Sequence, residues 1–433
     1  MPSTDQGQSL TKRQLLAACG SCVGAGALGG YAYGSGLLHE DDCSPTPMDN
    51  SATDWPLPHH DGSNTRAVPP ENAPESELSE QWSAAIQNPA QPIVINDSVF
   101  AVPVAGSTKT VRAHDLVTGE EQWMKRADFS AQQLPLTAGG DSLFLGHGRD
   151  DGDVVSKALA TADGSERWMS DVASEQVTVV LDEGLLIFED SNDIIAVDAH
   201  RGEKCWQKSV HSRLSVSAIH AGETIILDTF TDGKIVALEA RTGEQQWEAD
   251  ISDYFHPDED VLNDGIDGHV VAGTNHIYFS TIGGILIALD AATGETDWVT
   301  PETPPEIPTK GERHYRPPGF EPAALANDSL VVIESDGANK SEHVYAIDPA
   351  TGNEQLLFEP EPEENVHIGS VAVAGETLFL PVMNELRLVD LASGEPLETH
   401  SLDDHAQSVT LANGYCLVTT TEGLIAFQEE SDR

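Results

Sequence analysis

The sequence predicts an all-β protein: an eight-bladed β-propeller of four-stranded antiparallel blades. Three observations carry that prediction. An eleven-residue frame recurs along most of the chain, turn residues separate short alternating strands at regular intervals, and no stretch beyond the N-terminal segment sustains a helical period. The frame is clearest at 113–123, AHDLVTGEEQW, which reads as the end of one strand, a tight turn at Thr118-Gly119-Glu120 and a returning strand that carries a Trp.

Full copies start at Ala113, Ala158, Ala196, Ala237 and Ala288 and end at Trp123, Trp168, Trp206, Trp247 and Trp298. Their turn glycines are Gly119, Gly164, Gly202, Gly243 and Gly294. A sixth copy starts at Ala346, with Asp348 and Gly352, and has Leu356 in the Trp position. A seventh starts at Leu388, keeps Asp390 and Gly394, and has no Trp; an eighth, from Gly423 to Phe427, has only the entering strand. The starts lie about 38 to 58 residues apart, the period of a four-stranded blade. The C-terminal repeat supplies strands near 407–411, 415–420 and 423–428 but no fourth, whereas Leu78 to Ile86, with Trp82, reads as an outer strand with nothing before it. Joining the two completes an eighth blade, closes the ring and removes two exposed sheet edges.

Each frame residue has a structural reason. Glycine supplies the positive φ that a tight hairpin requires. The Asp four residues earlier (Asp115, Asp198, Asp290, Asp348, Asp390) caps the turn amides, with Glu239 and Ala160 standing in its place once each. The small Ala permits close approach of a neighbouring ring, and the Trp packs across the blade interface, burying on the order of 200 Å². These residues read as architecture, not as ligand contacts.

The frame resembles the tryptophan-docking motif of the quinoprotein-type (PQQ-like) eight-bladed propellers, over roughly residues 78–428. Asp54-Trp55-Pro56 followed by His60-Asp61-Gly62-Ser63-Asn64-Thr65 resembles the entry segment of those propellers. The family includes quinone-dependent alcohol dehydrogenases and non-enzymatic members, among them the propeller lipoprotein of the bacterial outer-membrane β-barrel assembly machinery. The dehydrogenases use an adjacent-cysteine pair and Glu, Asn and Asp ligands to Ca²⁺ beside the cofactor. This chain has no Cys-Cys pair and lacks the large insertions that build that site. The expectation is therefore a propeller with no catalytic residues, no PQQ or other cofactor and no metal, with a degenerate quinone- or metal-dependent oxidoreductase as the alternative.

Lys and Arg number 22 against 72 for Asp and Glu, a formal charge of −50. Such a charge opposes binding to nucleic acid or anionic lipid. With 39% hydrophobic residues the chain is no disordered acidic tail. Acidic excess spread through a folded body reads as adaptation to high salt, of the kind found in a haloarchaeon.

Lys12 and Arg13 precede an apolar, Gly/Ala-rich run from Ala17 to Leu38. Residues 1–38 are read as an export signal or an N-terminal membrane anchor, which places the body outside the cytoplasm. The layout is similar to a twin-arginine signal with Lys in place of the first Arg, and Leu16-Ala17-Ala18-Cys19 matches a lipobox by residue type. Residues 39–77, rich in Pro, Asp, Ser and Asn, are read as a solvated linker whose end is ordered, and 78–433 as the propeller. With Cys19 and Cys22 in the signal, Cys43 in the linker, and Cys205 and Cys416 in non-adjacent repeats, no disulfide is expected.

Topology separates two faces. The frame turns open on one; the connections between blades and the second-to-third-strand loops open on the other. The long segments Ala249 to Gly268, Thr300 to Pro322, Gly146 to Asp153 and Ser335 to His343 all fall on the second face, where binding is expected. Lys310, Arg313, His314, Tyr315 and Arg316 form a basic, aromatic cluster there, read either as a recognition site for an anionic group or acidic partner or as partners of local acids. The acidic loop at 249–268 does not have EF-hand spacing, and the scattered His residues have no metal-binding spacing. The function these observations predict is that of a monomeric, exported or membrane-tethered scaffold that binds an unidentified protein or a component of the cell envelope.

Overall fold

A computed structural model describes residues 37–39, 43, 45–75 and 77–430, apart from 105–108, 128–135, 149–153, 173–176, 182–183, 191–192, 211–213, 221–222, 230–232, 256–264, 303–318, 328, 336–341 and 362–365. Eight antiparallel meanders are arranged as blades 1 to 8. Their first strands are Ile93–Ile95, Thr137–Gly139, Val177–Leu181, Leu214–His220, Ile266–Ala272, Gly319–Ala326, Ala372–Ala374 and Ala406–Ala412. These first strands touch those of neighbouring blades and so line the axis, while the fourth strands form the rim. Blade 8 closes the ring as expected: Leu78–Ala85 pairs antiparallel with Gly423–Glu429, and Trp82 lies opposite Ala426.

The apolar core is divided among the seams between blades. Ile93, Phe100 and Val111 of blade 1, for example, pack with Ala138, Leu143 and Leu159 of blade 2. Strands that alternate apolar and polar residues would bury only one face; stacking each blade on the next buries both.

Within a blade, the frame Ala lies directly across from the frame Trp: Ala113 opposite Trp123, Ala196 opposite Trp206, Ala288 opposite Trp298. A bulge follows that Ala in each case and sharpens the local twist. The turn beyond it is held by the frame Asp. Asp115 Oδ1 accepts from Val117 N (3.1 Å), Thr118 N (2.8 Å) and Thr118 Oγ1 (2.9 Å), and Asp290 repeats the set on Ala292 and Thr293. The main-chain and hydroxyl donors of Thr118 keep the Asp115 carboxyl below the usual carboxylate range.

The sixth frame departs from its expected register. The bulge falls two residues early in the entering strand, so Ala346 faces Gln355, and Leu356 is left 43 % exposed. Gln355 Nε2 reaches blade 7 and donates to Ala392 O at 2.8 Å. At the seventh frame Leu388 faces Glu398, whose Oε1 accepts from Leu78 N at 3.1 Å and so holds the closing strand.

The segment read as a solvated linker is packed against the ring for most of its length. Trp55 is 0 % exposed and exchanges two main-chain bonds with Val94 of blade 1 (both 2.8 Å). Pro56 O accepts from Ala138 N of blade 2, Ser63 O from Ala272 N of blade 5, Thr65 O from Leu325 N of blade 6 and Arg66 O from Val373 N of blade 7. Ala67–Val68 then adds a parallel fifth strand to blade 7, and Asn72 O accepts from Gly414 N of blade 8. The inner strands have a free hydrogen-bonding edge towards the axis, and this segment satisfies it. Composition concealed this because Pro, Asn and Asp serve tight bends as well as solvated coil. The expectation of no disulfide is likewise overturned. Cys43 is bonded to Cys205 in the outer strand of blade 3, 162 residues away, with Cα atoms 5.1 Å apart. Distances between repeats had no bearing on a cysteine in this segment, which forms a strap across the blades. Leu37–His39 pairs with the same outer strand.

Candidate functional site

Among the described residues the strap lies at one end of the ring only. Its contacts at Gly140, Gly375, Asn413 and Gly414 are with turns between first and second strands, and Thr46 O lies 3.1 Å from His200 Nε2 in a frame turn. All of these turns open on one face, so the strap covers that face and crosses the axial channel there. The opposite face carries the blade-to-blade connections.

Lys310, Arg313, His314, Tyr315 and Arg316 lie outside the described residues. The ends of their loop are described: it leaves the outer strand Thr296–Thr300 of blade 5 and enters the inner strand Gly319–Ala326 of blade 6, on the uncovered face. Around blades 6 to 8 the same face presents a polar group that sequence reasoning missed. Glu342 Oε2 accepts from Ile368 N at 2.6 Å and lies 3.3 Å from His367 Nδ1. The Glu342 hydrogen bond raises the His367 imidazole above its ordinary value. His405 stands beside it, with ring centres 6.4 Å apart. No spacing in the sequence links these residues, because they come from three separate connections.

The frame residues occupy the seams. Each indole Nε1 donates to a main-chain carbonyl of the next blade: Trp82 to Leu116 O (2.8 Å), Trp123 to Thr161 O (2.9 Å), Trp168 to Ala199 O (2.8 Å), Trp206 to Ala240 O (2.9 Å), Trp247 to Ala291 O (3.0 Å) and Trp298 to Pro349 O (2.9 Å). The same rings lie over the turn glycines, where a Cβ on Gly119 would come within 2.6 Å of Trp82. Glycine is required twice over: its φ is +71°, and the ring leaves no room.

In the channel, the strap brings His59, Asn64 and Arg66 against Gln91 of the approach to blade 1 and against His269 and Val270 of blade 5. Arg66 Nη1 donates to Gln91 Oε1 at 3.2 Å, and Gln91 Nε2 donates to Val409 O at 2.9 Å. The His59 and His269 rings meet edge to face with centres 4.0 Å apart. Burial, with the Arg66 charge adding to it, pushes His269 down to about 4 and His59 well below the ordinary imidazole range. Burial also lowers the Arg66 guanidinium to about 10, with Glu321 acting in the opposite direction.

Among the described residues no three His, Cys, Asp or Glu side chains are placed to share a metal ion. Cys416 is the one free cysteine among them; it is buried, and burial raises its thiol far above the range of a nucleophile.

The ring of eight four-stranded blades, with its repeating Ala–Trp pairs and docked turns, defines a propeller of the PQQ-like repeat class. A family model described as "Outer membrane protein assembly factor BamB" matches residues 107–356 and 262–430, and the chain belongs to that family. It is 27% identical to the assembly factor BamB of Burkholderia pseudomallei over 319 residues, covering 71% of this chain and 75% of the relative. It is 24% identical to the BamB of Bordetella pertussis over 190 residues, 42% of this chain and 47% of that one. Among solved structures, BamB from Moraxella catarrhalis matches with a TM-score of 0.56 at 18% identity, over 83% of this chain and 99% of that one. A europium-containing methanol dehydrogenase matches with 0.60 at 13% identity, over 86% and 91%. These structural likenesses establish the fold alone.

Proposed function

We propose that the protein is a non-catalytic, monomeric propeller held outside the cytoplasm, where it binds another envelope protein through the face opposite the strap. The strap carries this reading: it occupies one end of the ring and leaves the face of long connections free for a partner. Membership of an assembly-factor family supports a scaffold role. The Cys43–Cys205 disulfide supports a location outside the cytoplasm, since such bonds persist in oxidising compartments. The cationic residues Lys310, Arg313 and Arg316, with His314 and Tyr315, are the proposed contacts for an acidic partner. No quinone or metal enters this reading, since the chain offers no adjacent-cysteine pair.

Site-specific photo-cross-linking in intact cells tests it. Probes at Tyr315 and His367 should capture one envelope protein, and probes at Val117 and Leu397, in the frame turn of blade 1 and on the rim of blade 7, should not. Capture confined to the latter pair would overturn the choice of face. Dye-linked alcohol oxidation by the purified chain with PQQ and Ca²⁺ would overturn the non-catalytic reading.

A further inference from the structure

Three segments of the uncovered face meet at the turn between the second and third strands of blade 7. Met383, in that turn, has its main chain in the left-handed region at φ 52°. Asn96, Asn327 and Asn413 occupy the same region with a short polar side chain that suits it; methionine has none, so its surroundings impose the conformation. They do so from both sides. Met383 N donates to His367 O (3.2 Å) in the connection from blade 6, and Met383 O accepts from Ala406 N (2.7 Å), next to His405 in the connection to blade 8. Two histidine-bearing connections are thus fastened to one methionine.

The side chains gather at the same point. Met383 Sδ accepts from His367 N at 3.5 Å. The Glu342 carboxylate is held by Ile368 N and lies 3.3 Å from His367 Nδ1. A carboxylate only accepts, so Nδ1 carries the proton and the Nε2 lone pair of the neutral ring is left unengaged, the arrangement that orients a metal-binding imidazole. The His367 side chain is 67 % exposed, and the His405 ring makes no hydrogen bond among the described residues. Their ring centres are 6.4 Å apart. Two imidazoles that share an ion through M–N bonds of about 2.0 Å have centres about 6.3 Å apart when they lie opposite each other.

We propose that His367, His405 and Met383 form a binding site for a soft monovalent metal ion, Cu(I). Two imidazoles and a thioether suit that ion, whereas Ca²⁺ and Mg²⁺ require oxygen ligands. The third ligand is a sulfur, so the set is distinct from any group of three His, Cys, Asp or Glu. Glu342 holds the His367 ring from its far side, and the chain's charge of −50 draws cations to the surface. A bound ion ties both connections to the blade 7 turn. The site shares its face with the proposed protein contacts and does not depend on that reading.

The test is anaerobic titration of the full chain with Cu(I) against a chromophoric chelator, with X-ray absorption at the copper edge. The chain carries Cys19→Ser and Cys22→Ser, which removes two thiols that would compete for the ion. It should take up one ion, with nitrogen and a single sulfur as neighbours, and excess Ca²⁺ should not displace it. Glu342→Gln should weaken binding by about 10–100-fold, and His405→Gln by at least about tenfold. Met383→Gly should remove the sulfur from the spectrum while the metal-free chain unfolds no earlier, because glycine accepts the positive φ. If that variant fails to fold, His405→Gln, in an exposed connection, decides the matter. Absence of stoichiometric uptake, a sulfur neighbour that persists in Met383→Gly, or unchanged affinity in His405→Gln would each overturn the proposal.

Discussion

Trp206 of blade 3 lies over Gly243 of blade 4 and donates its indole hydrogen to Ala240 O at 2.9 Å. One side chain thus fills a seam, satisfies a turn carbonyl and requires a glycine in the neighbouring blade. Two substitutions separate these effects. Trp206→Phe should keep most of the packing but leave the Ala240 carbonyl without its donor, a loss of about 1–3 kcal/mol. Gly243→Ala would bring a Cβ to 2.9 Å from the ring at φ +69°. It should destabilise by at least as much, and chemical denaturation of both variants checks the pair.

Trp55 behaves differently. It is fully buried, but its Nε1 has no hydrogen-bond partner among the described residues. Trp55→Ala should therefore cost about 3–5 kcal/mol through lost packing, while Trp55→Phe, which forfeits no hydrogen bond, should cost far less. A similar loss in both variants, measured by denaturant midpoints, would contradict this account of the residue.

The Cys43–Cys205 bond spans 162 residues. The chain-entropy estimate for a loop of that length is about 5 kcal/mol, and measured disulfides commonly give about 2–4. The double variant Cys43→Ser/Cys205→Ser should lose stability in that range. Its strap should also become sensitive to limited proteolysis before the blades do, as mass spectrometry of early fragments would show.

Acid should weaken the fold through the channel histidines. His269 is held near 4 in the folded state against an ordinary 6.5, so between those values the unfolded chain binds a proton that the folded chain does not. Stability should therefore fall as pH drops from about 6.5 to about 4, with His59 contributing in the same direction. His367 runs the other way: its pKa is raised, so its contribution is present below 6.5 and is lost as pH rises through the folded value. Unfolding midpoints across this range should show a shallower acid limb for His269→Gln.

The propeller was legible because its signals are local and repeated. Ala, Asp, Gly and Trp recur in one frame, and each has its cross-strand or cross-blade partner at a fixed offset. The shift at Leu356 was hidden because a bulge moves register by one residue without altering the pattern around it. The strap was hidden for a different reason. Its partners at Val94, Ala138, Ala272, Leu325 and Val373 are main-chain groups of five blades, and main-chain edges leave no mark on composition. Asp54-Trp55-Pro56 and the segment from His60 to Thr65 were its local signals. The channel cluster followed the strap into obscurity, since Arg66 meets Gln91 only after the ring has formed.

The eighth blade also constrains how the molecule is made. Leu78–Ala85 is synthesised long before its partner Gly423–Glu429. Until then the nascent ring has two open sheet edges at the seam, and Trp82 can dock on Leu116 without its own blade behind it. Ring completion is thus a late, long-range event that a growing chain cannot carry out piecemeal. A chain of this design benefits from being synthesised through its eighth blade before the ring assembles, because any partial ring would leave unpaired strand edges.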